Sequence, residues 1–391
     1  MTEEIFRRDG YAFEFEAVVV VSNGEDVELD ITAFYPGGGG QVCDTGTIRG
    51  SRVTEVLYIG KKIIHKVPGN DLKVKDVVWC SVDWDRRYDL MMGHTGEHLL
   101  FCSLKQYIPD LAITKIFISP ESKYVVIDRD IEWDVVGKAV RFANDAICDN
   151  LPVTKSQMSR DDPELENVRI KMERIPEGEE ISIVSIGDID LSACSGLHVM
   201  ETGELEMMLV DRKVSAGKDG TAIHFKVGRE AMNSAASLAN ICLMASEVAD
   251  SKPEDIVRAI SNLKINAGVT DRSVSDHVRR FVDTLIPRTI NGAEMYSAIL
   301  PRTERSVLTE IAESFKNKGA VSIFISEGEN LSVVMSSGIP SVDCSKTISD
   351  VLKGLGGKGG GKRDFAQGGV SSDISSETLL EKLVAGMSFS S

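Results

Sequence analysis

Gly93-His94-Thr95-Gly96-Glu97-His98-Leu99-Leu100 holds two histidines four positions apart. On a helix that spacing places both imidazoles on one face, where they can share an ion. About a hundred residues later, Cys194-Ser195-Gly196-Leu197-His198 repeats the spacing and adds a thiolate and a third imidazole. Three nitrogens and one sulfur form a donor set that zinc takes tetrahedrally. The chain has 6 histidines, and half of them fall in these two motifs, so His94, His98, Cys194 and His198 are the candidate metal ligands. Either pair alone also fits plain helix packing, because the spacing arises readily by chance. If all four bind at once the site is closed, unless it expands to five ligands or holds one of the four weakly.

Working outward, residues before about 85 read as β. The runs 11–21, 27–35, 52–59, 62–67 and 74–82 are rich in Val, Ile and aromatics, and Asn23-Gly24, Pro36 with Gly37 to Gly40, Gly60 and Pro68-Gly69-Asn70 separate them. Short strands at this spacing predict a small barrel. Four consecutive glycines, Gly37 to Gly40, imply positive φ angles or close approach of another backbone. From Arg86 the pattern is mixed. A helix carries the histidine pair, strands follow at 115–119 and 124–128, and apolar residues at 136, 139, 140, 143, 146 and 147 mark a helix over 135–148. Strands return at 181–186 and 222–227, giving an α+β region that brings the two motifs together.

Residues 229–250 read as a helix with an Ala231, Ala235, Leu238, Cys242, Ala245, Ala249 stripe, and Ser251 reads as the N-cap of a second helix running towards Asn266. This hairpin serves either as core or as a homodimer surface. Later come a strand pair at 321–325 and 331–335 and helices at 348–355 and 378–385. Between the helices, Gly354, Gly356 and Gly359 match GxGxxG, but they follow a helix where a dinucleotide fingerprint needs a strand. Gly356, Gly361 and Lys362 approach a phosphate-binding Walker loop, yet Arg363 stands where Ser or Thr must hold magnesium, so no nucleoside triphosphate chemistry follows from it. A glycine loop with Lys353, Lys358, Lys362 and Arg363 remains, a candidate phosphate-binding surface.

The 391 residues suffice for two or three domains, and 42% apolar with 27% charged residues is ordinary for a globular protein. No run of about 18 apolar residues occurs and the first residues do not form a signal peptide, so a cytoplasmic protein is expected. Seven scattered cysteines argue against a disulfide framework. A net charge of −16 opposes a nucleic-acid partner unless a local basic patch offsets it.

The segment from Val82 to Leu100 resembles the first zinc motif of the alanyl-tRNA synthetase editing domain and of its free-standing relatives, the AlaX family. Ile186-Gly187-Asp188 through Thr202-Gly203-Glu204 resembles the second motif, with Ser195 and Leu197 replacing a glycine and a threonine of the usual Cys-Gly-Gly-Thr-His. Gly38-Gly39-Gly40-Gln41 followed by Asp44-Thr45-Gly46 is similar to the family's glycine loop, which implies that these residues face the acceptor end of tRNA. The C-terminal glycine stretch, ending in Asp364-Phe365-Ala366-Gln367, resembles the DHHA1-type domain that the synthetases share with DHH phosphoesterases, implying tRNA binding there.

The resemblance implies a multidomain α+β chain of the AlaX long form. Its parts are a β-barrel at 1–85, a zinc-dependent editing domain at 86–228, a helical linker at 229–290 and an α/β DHHA1-like domain at 291–391. The similarity begins at the editing half, so no aminoacylation half is expected. The implied activity is hydrolysis of the aminoacyl ester on tRNA(Ala) carrying serine or glycine, with one zinc ion per chain that polarises the carbonyl, activates water or holds the substrate amine. Thr114, at the head of the strand 115–119, resembles the position of a substrate-facing polar side chain and is the candidate serine sensor; an ordinary strand threonine is the plain alternative. A non-catalytic zinc-containing tRNA binder and a DHH-type phosphoesterase are the competing readings. The second is opposed by the absence of Asp-His-His from the sequence.

Overall fold

The computed structural model describes residues 2–170 and 180–387, in two compact units, Met1–Ile241 and Cys242–Ser391. The chain opens with β1 (Glu3–Glu4) and α1 (Ile5–Arg8). It continues through β2 (Glu14–Asn23), β3 (Asp26–Leu29), β4 (Ile31–Thr32), β5 (Gly46–Ile48), β6 (Ser51–Val53), β7 (Glu55–Ile59), β8 (Lys62–Lys66) and β9 (Val77–Val82). Period-two alternation makes β2 a strand with one dry face: Phe15, Ala17 and Val19 are buried, while Glu14 and Glu16 face out.

Seven strands form an antiparallel sheet in the order β6-β5-β9-β2-β3-β8-β7. Its end strands β6 and β7 are consecutive in the chain with only Thr54 between them, and the Thr54 N–H donates to Lys66 O of β8. The sheet nearly closes on itself, so the expected small barrel is realised as a near-barrel.

After the near-barrel come α2 (Trp84–Lys105), β10 (Ile113–Ile118), β11 (Lys123–Ile127), α3 (Trp133–Cys148), β12 (Val153–Met158), β13 (Ile181–Ile186), β14 (Asp190–Ala193), β15 (Met208–Ser215) and β16 (Thr221–Val227). Two antiparallel sheets result, β10-β11-β16-β15 and β12-β13-β14. α2 is buried nearly all round from Leu90 to Leu104, and the predicted stripe of α3 is realised with Val136, Ala139, Ala143, Ala146 and Ile147 buried. One hydrophobic core runs from Phe6 to Val227, so the near-barrel and the α+β layer share an interior.

α4 (Gly228–Val248) spans the boundary between the two units, and α5 (Ile256–Asp283) belongs to the second. The second helix is therefore longer than the sequence pattern predicts. Ser251 is not its N-cap: a 3₁₀ turn at Pro253–Asp255 intervenes, and Asp255 occupies the cap position. The predicted stripe of α4 is fully buried only at Ala231; Ala235, Cys242, Ala245 and Ala249 are half-buried and Leu238 is 44% exposed.

The second unit continues with β17 (Arg288–Ile290), β18 (Ala293–Leu300), α6 (Arg305–Asn317), β19 (Val321–Ser326), β20 (Asn330–Ser337), α7 (Cys344–Gly354), β21 (Lys358–Lys362), β22 (Phe365–Ser371) and α8 (Ser376–Ala385). Its sheet order is β17-β18-β19-β20-β22-β21, parallel only between β18 and β19. Separate cores lie on its two faces, one with α7 and α8 and one with α5 and α6.

The glycine stretch is not a loop but the edge strand β21 paired with β22. Its glycines answer to packing: a Cβ on Gly359 would come within 2.6 Å of Ile348, and one on Gly368 within 2.2 Å of Leu352, both side chains of α7. No helix among the described residues is long and apolar enough to cross a membrane.

Candidate metal centre

α2 places His94 and His98 one turn apart and buried, with ring centroids 5.4 Å apart. The turn after β14 delivers Cys194 and His198, and the His198 ring lies 4.4 Å from that of His94 and 4.8 Å from that of His98. One ligand atom from each of the four lies within 4.8 Å of the others. Cys194 Sγ is 3.5 Å from His94 Nε2 and 3.3 Å from His198 Nε2. A tetrahedral ion at about 2.3 Å from sulfur and about 2.0 Å from nitrogen separates those atoms by about 3.5 Å. The donor set and its spacing fit zinc.

Each imidazole is aimed by a partner on its other nitrogen. His94 Nδ1 meets Gln41 Oε1 at 2.8 Å, His98 Nδ1 meets Asp190 Oδ2 at 2.9 Å, and His198 Nδ1 meets Thr95 Oγ1 at 3.1 Å. With the proton on Nδ1 donated to these oxygens, all three Nε2 lone pairs face the centre. Burial pushes His94 down to about 3 and holds His98 and His198 well below the usual histidine range, so all three rings are neutral and able to ligate. Burial raises the Cys194 thiol to about 11. A bound cation would displace that proton.

Gly196 has to be glycine for a packing reason. A Cβ there would stand 2.0 Å from His94 Cε1 and 2.3 Å from its Nδ1. The two departures from the family pattern are accommodated: Ser195 is exposed, and Leu197 is buried in the common core while its N–H donates to Gln41 Oε1 at 3.3 Å.

The glycine loop is brought to the centre. Gly37, Gly38, Gly39 and Gly40 all have positive φ, at 81°, 146°, 62° and 98°, as four glycines in a row predict. Ile118 of β10 donates to Gly40 O and accepts from Val42 N, so the loop extends the edge of that strand and carries Gln41 to His94. Gln41 Nε2 is buried without a partner among the described residues. Behind the loop, Asp44 and Arg87, both buried, form an ion pair; Arg87 also donates to Gly10 O and Ala33 O, and Asp44 accepts from Tyr35 N. This pair locks the loop to α2.

An outer layer of charge that the motif spacing does not announce surrounds His98. Arg169 lies 3.6 Å from Glu97 and 3.7 Å from Asp190, donates from Nε to Ser192 Oγ and sits over the Phe101 ring. Burial pushes the Glu97 carboxyl up to about 7, Arg169 opposing the shift. The sequence signal for Thr95 and Glu97 is their place inside the histidine motif; Asp190 and Arg169 have no comparable mark. Beside the centre, a cleft of about 150 Å³ is lined by Arg7, Arg8, Lys155, Leu197 and His198. Lys155 has no ion-pair partner among the described residues, whereas Arg7 and Arg8 are paired with Glu4 and Glu3.

Thr114 is not brought to this centre by any contact. It is exposed, with its hydroxyl 3.2 Å from Val126 O and 3.0 Å from Asp219 O. Lys353, Lys358, Lys362 and Arg363 gather at α7, β21 and the turn after it, in the second unit, while the ligands and Gln41 belong to the first.

A family model described as the DHHA1 domain matches residues 294–387. The alanine–tRNA ligase of Methanoregula boonei is 31% identical over 384 residues, 94% of this chain and 41% of that protein. That of Ignicoccus hospitalis is 28% identical over 98% of this chain and 43% of its own length. The alanyl-tRNA editing protein AlaX-L of Pyrococcus horikoshii is 26% identical over 98% of both chains. This chain thus spans about two fifths of the ligases it matches and nearly all of the AlaX-L protein.

Proposed function

We propose that this chain, a homologue of the alanyl-tRNA synthetases and a member of the AlaX long form, holds one zinc ion at His94, His98, Cys194 and His198 and uses that site to hydrolyse the aminoacyl ester of tRNA(Ala) mischarged with serine or glycine. The observation that carries this reading is the centre itself: four ligand atoms at zinc-compatible spacing, three imidazoles each aimed by a different oxygen, and an open cleft beside His198. When bound, zinc would supply charge to polarise the ester carbonyl, activate water or hold the substrate amine.

The chain's own residues do the positioning. Water adds to the acyl carbon and the bond to the ribose oxygen breaks, releasing the amino acid and the free tRNA hydroxyl. Such an ester is activated enough that orientation and charge stabilisation carry much of the work. Lys155 offers a free cation to a phosphate entering the cleft.

Discrimination of serine from alanine rests better on Gln41 than on Thr114, since Gln41 contacts the ligand His94 through Oε1 and keeps a buried Nε2 unpartnered among the described residues, whereas the Thr114 hydroxyl is already bonded elsewhere. A serine hydroxyl would satisfy the Gln41 amide. Alanine and glycine, which lack the hydroxyl, would each leave it unpaired, at a cost of roughly 1–3 kcal/mol, so this contact favours serine and release of glycine does not use it.

Lys353, Lys358, Lys362 and Arg363 are the proposed tRNA contacts of the second unit, and the exposed apolar residues of α5, among them Val257, Ile260 and Leu263, a surface for a second copy. The test is deacylation of tRNA(Ala) charged with serine, glycine or alanine: serine and glycine are released and alanine is retained. Bound zinc without ester hydrolysis would select the non-catalytic tRNA binder. A DHH-type phosphoesterase is opposed by a ligand set that contains no aspartate.

A further inference from the structure

The sheet β10-β11-β16-β15 has two unlike faces. Ile118, Val125, Ile127, Ile223 and Phe225 point into the core under α2 and α3. On the other face, cross-strand register aligns Phe117 with Tyr124, Tyr124 with His224 and His224 with Arg212, one residue from each strand in a single row. Side chains opposite one another in register share a face. The Phe117 and Tyr124 rings stack with centroids 5.3 Å apart, and Tyr124 and His224 follow at 4.9 Å. The next row, Lys115, Val126, Ala222 and Val214, shares the face; its outer members Lys115 and Val214 are exposed and its inner members Val126 and Ala222 are buried. A shallow cavity of about 520 Å³ opens here between Lys115, Tyr124, Ala222 and His224, with Asp219 and Thr114 at its rim.

The charges on this face suit an anionic chain. In a protein of net charge −16, Lys115 has no ion pair among the described residues, and Arg212 meets His224 Nδ1, at 3.4 Å, rather than a carboxylate. Asp219 is the acidic side chain on this rim; on the other side of the row Arg212 and His224 line a small cavity with Glu121, Asp211 and Glu230, of which Asp211 and Glu230 are engaged by Lys226. A row of flat rings with flanking cations on a four-stranded sheet is the arrangement on which unpaired bases stack while phosphates meet Lys and Arg. An aliphatic partner surface would use neither the aligned rings nor the cations. The row also ends at β10, the strand from which the glycine loop and Gln41 extend.

We propose that this open face is a binding surface for single-stranded RNA, with bases stacking on Phe117, Tyr124 and His224 and phosphates held by Lys115 and Arg212. Naming the unpaired 3′ end of a tRNA as its natural occupant rests on the proposed function; the stacking surface itself does not. The full chain is titrated against a fluorescein-labelled single-stranded RNA 12-mer by anisotropy at several salt concentrations. Tyr124→Leu, which keeps apolar bulk and removes the π face, weakens binding about tenfold. Lys115→Gln with Arg212→Gln lowers the slope of log K against log salt by about 1.4.

Zinc content and melting temperature are measured on each variant to verify that it folds. RNA affinity within twofold of the parent in a folded Tyr124→Leu overturns the proposal. So does sedimentation showing that the substitution dissolves a dimer without altering RNA affinity, which would assign the face to a second copy. Deacylation by the unaltered protein is scored separately. Hydrolysis with unchanged RNA affinity in the variant sinks the stacking surface alone, and lost affinity with no hydrolysis by the parent supports the stacking surface while sinking the deacylase.

Discussion

Gly196→Ala tests whether the metal centre is as tightly built as its geometry implies. The added methyl would lie 2.0 Å from His94 Cε1 and 2.3 Å from Nδ1, where ordinary contacts are 3.4 Å or more. His94 cannot swing aside without breaking its 2.8 Å bond to Gln41. The turn cannot retreat without moving Cys194 and His198, which flank Gly196 in sequence. Either way at least one ligand leaves its place. Disturbing only the orienting partner of a ligand costs 10–100-fold in metal affinity, so displacing the ligand itself costs at least about that, or roughly 1.4–2.8 kcal/mol. The assay is zinc competition against a chromophoric chelator, with circular dichroism on the same samples. Gly137→Ala, whose new methyl meets nothing within 4 Å on α3, is the control and leaves affinity unchanged. A folded Gly196→Ala protein with zinc affinity within threefold of the parent would refute the reasoning.

Asp190→Asn keeps shape but removes the charge facing His98 Nδ1, and zinc affinity falls about 10–100-fold in the same assay. Arg87→Ala strands the buried Asp44 carboxylate and lowers unfolding free energy by about 3–5 kcal/mol, read by urea denaturation. His65 is fully buried between Thr32 and Val27 O, and desolvation lowers it to about 4. Its stabilising contribution is complete above the unfolded value of about 6.5, because between about 6.5 and about 4 only the unfolded chain takes up the proton; stability then falls with pH by about 3 kcal/mol, and His65→Gln flattens that slope. Lys358→Ala with Lys362→Ala reduces the salt dependence of tRNA binding by up to about two units of slope and leaves zinc content alone; an unchanged slope would move the contacts elsewhere.

Local periodicity carried most of what the sequence determined. Spacing of four placed His94 and His98 on one helix face and paired Cys194 with His198, and period-two and period-3.6 patterns located β2 and α3. Four adjacent glycines announced four positive φ angles because no other residue tolerates that backbone at low cost. Where the meaning of a residue depends on a partner far along the chain, pattern was silent. Gln41 is separated from His94 by 53 positions, Asp190 from His98 by 92 and Arg87 from Asp44 by 43.

The glycines of 356–369 read as a loop because composition cannot distinguish freedom from crowding, and only the approach of α7 reveals that Gly359 and Gly368 are small so that Ile348 and Leu352 can lie against them. Thr114 sits beside the expected strand in sequence, but its contacts run to Val126 and Asp219 rather than to the metal centre. The aligned row from Phe117 to Arg212 likewise exists only through strand register, a relation between four segments spread over about a hundred residues. Side-chain type and short spacing are written locally, whereas orientation, burial and partnership come from long-range packing, which decides them only when the chain closes.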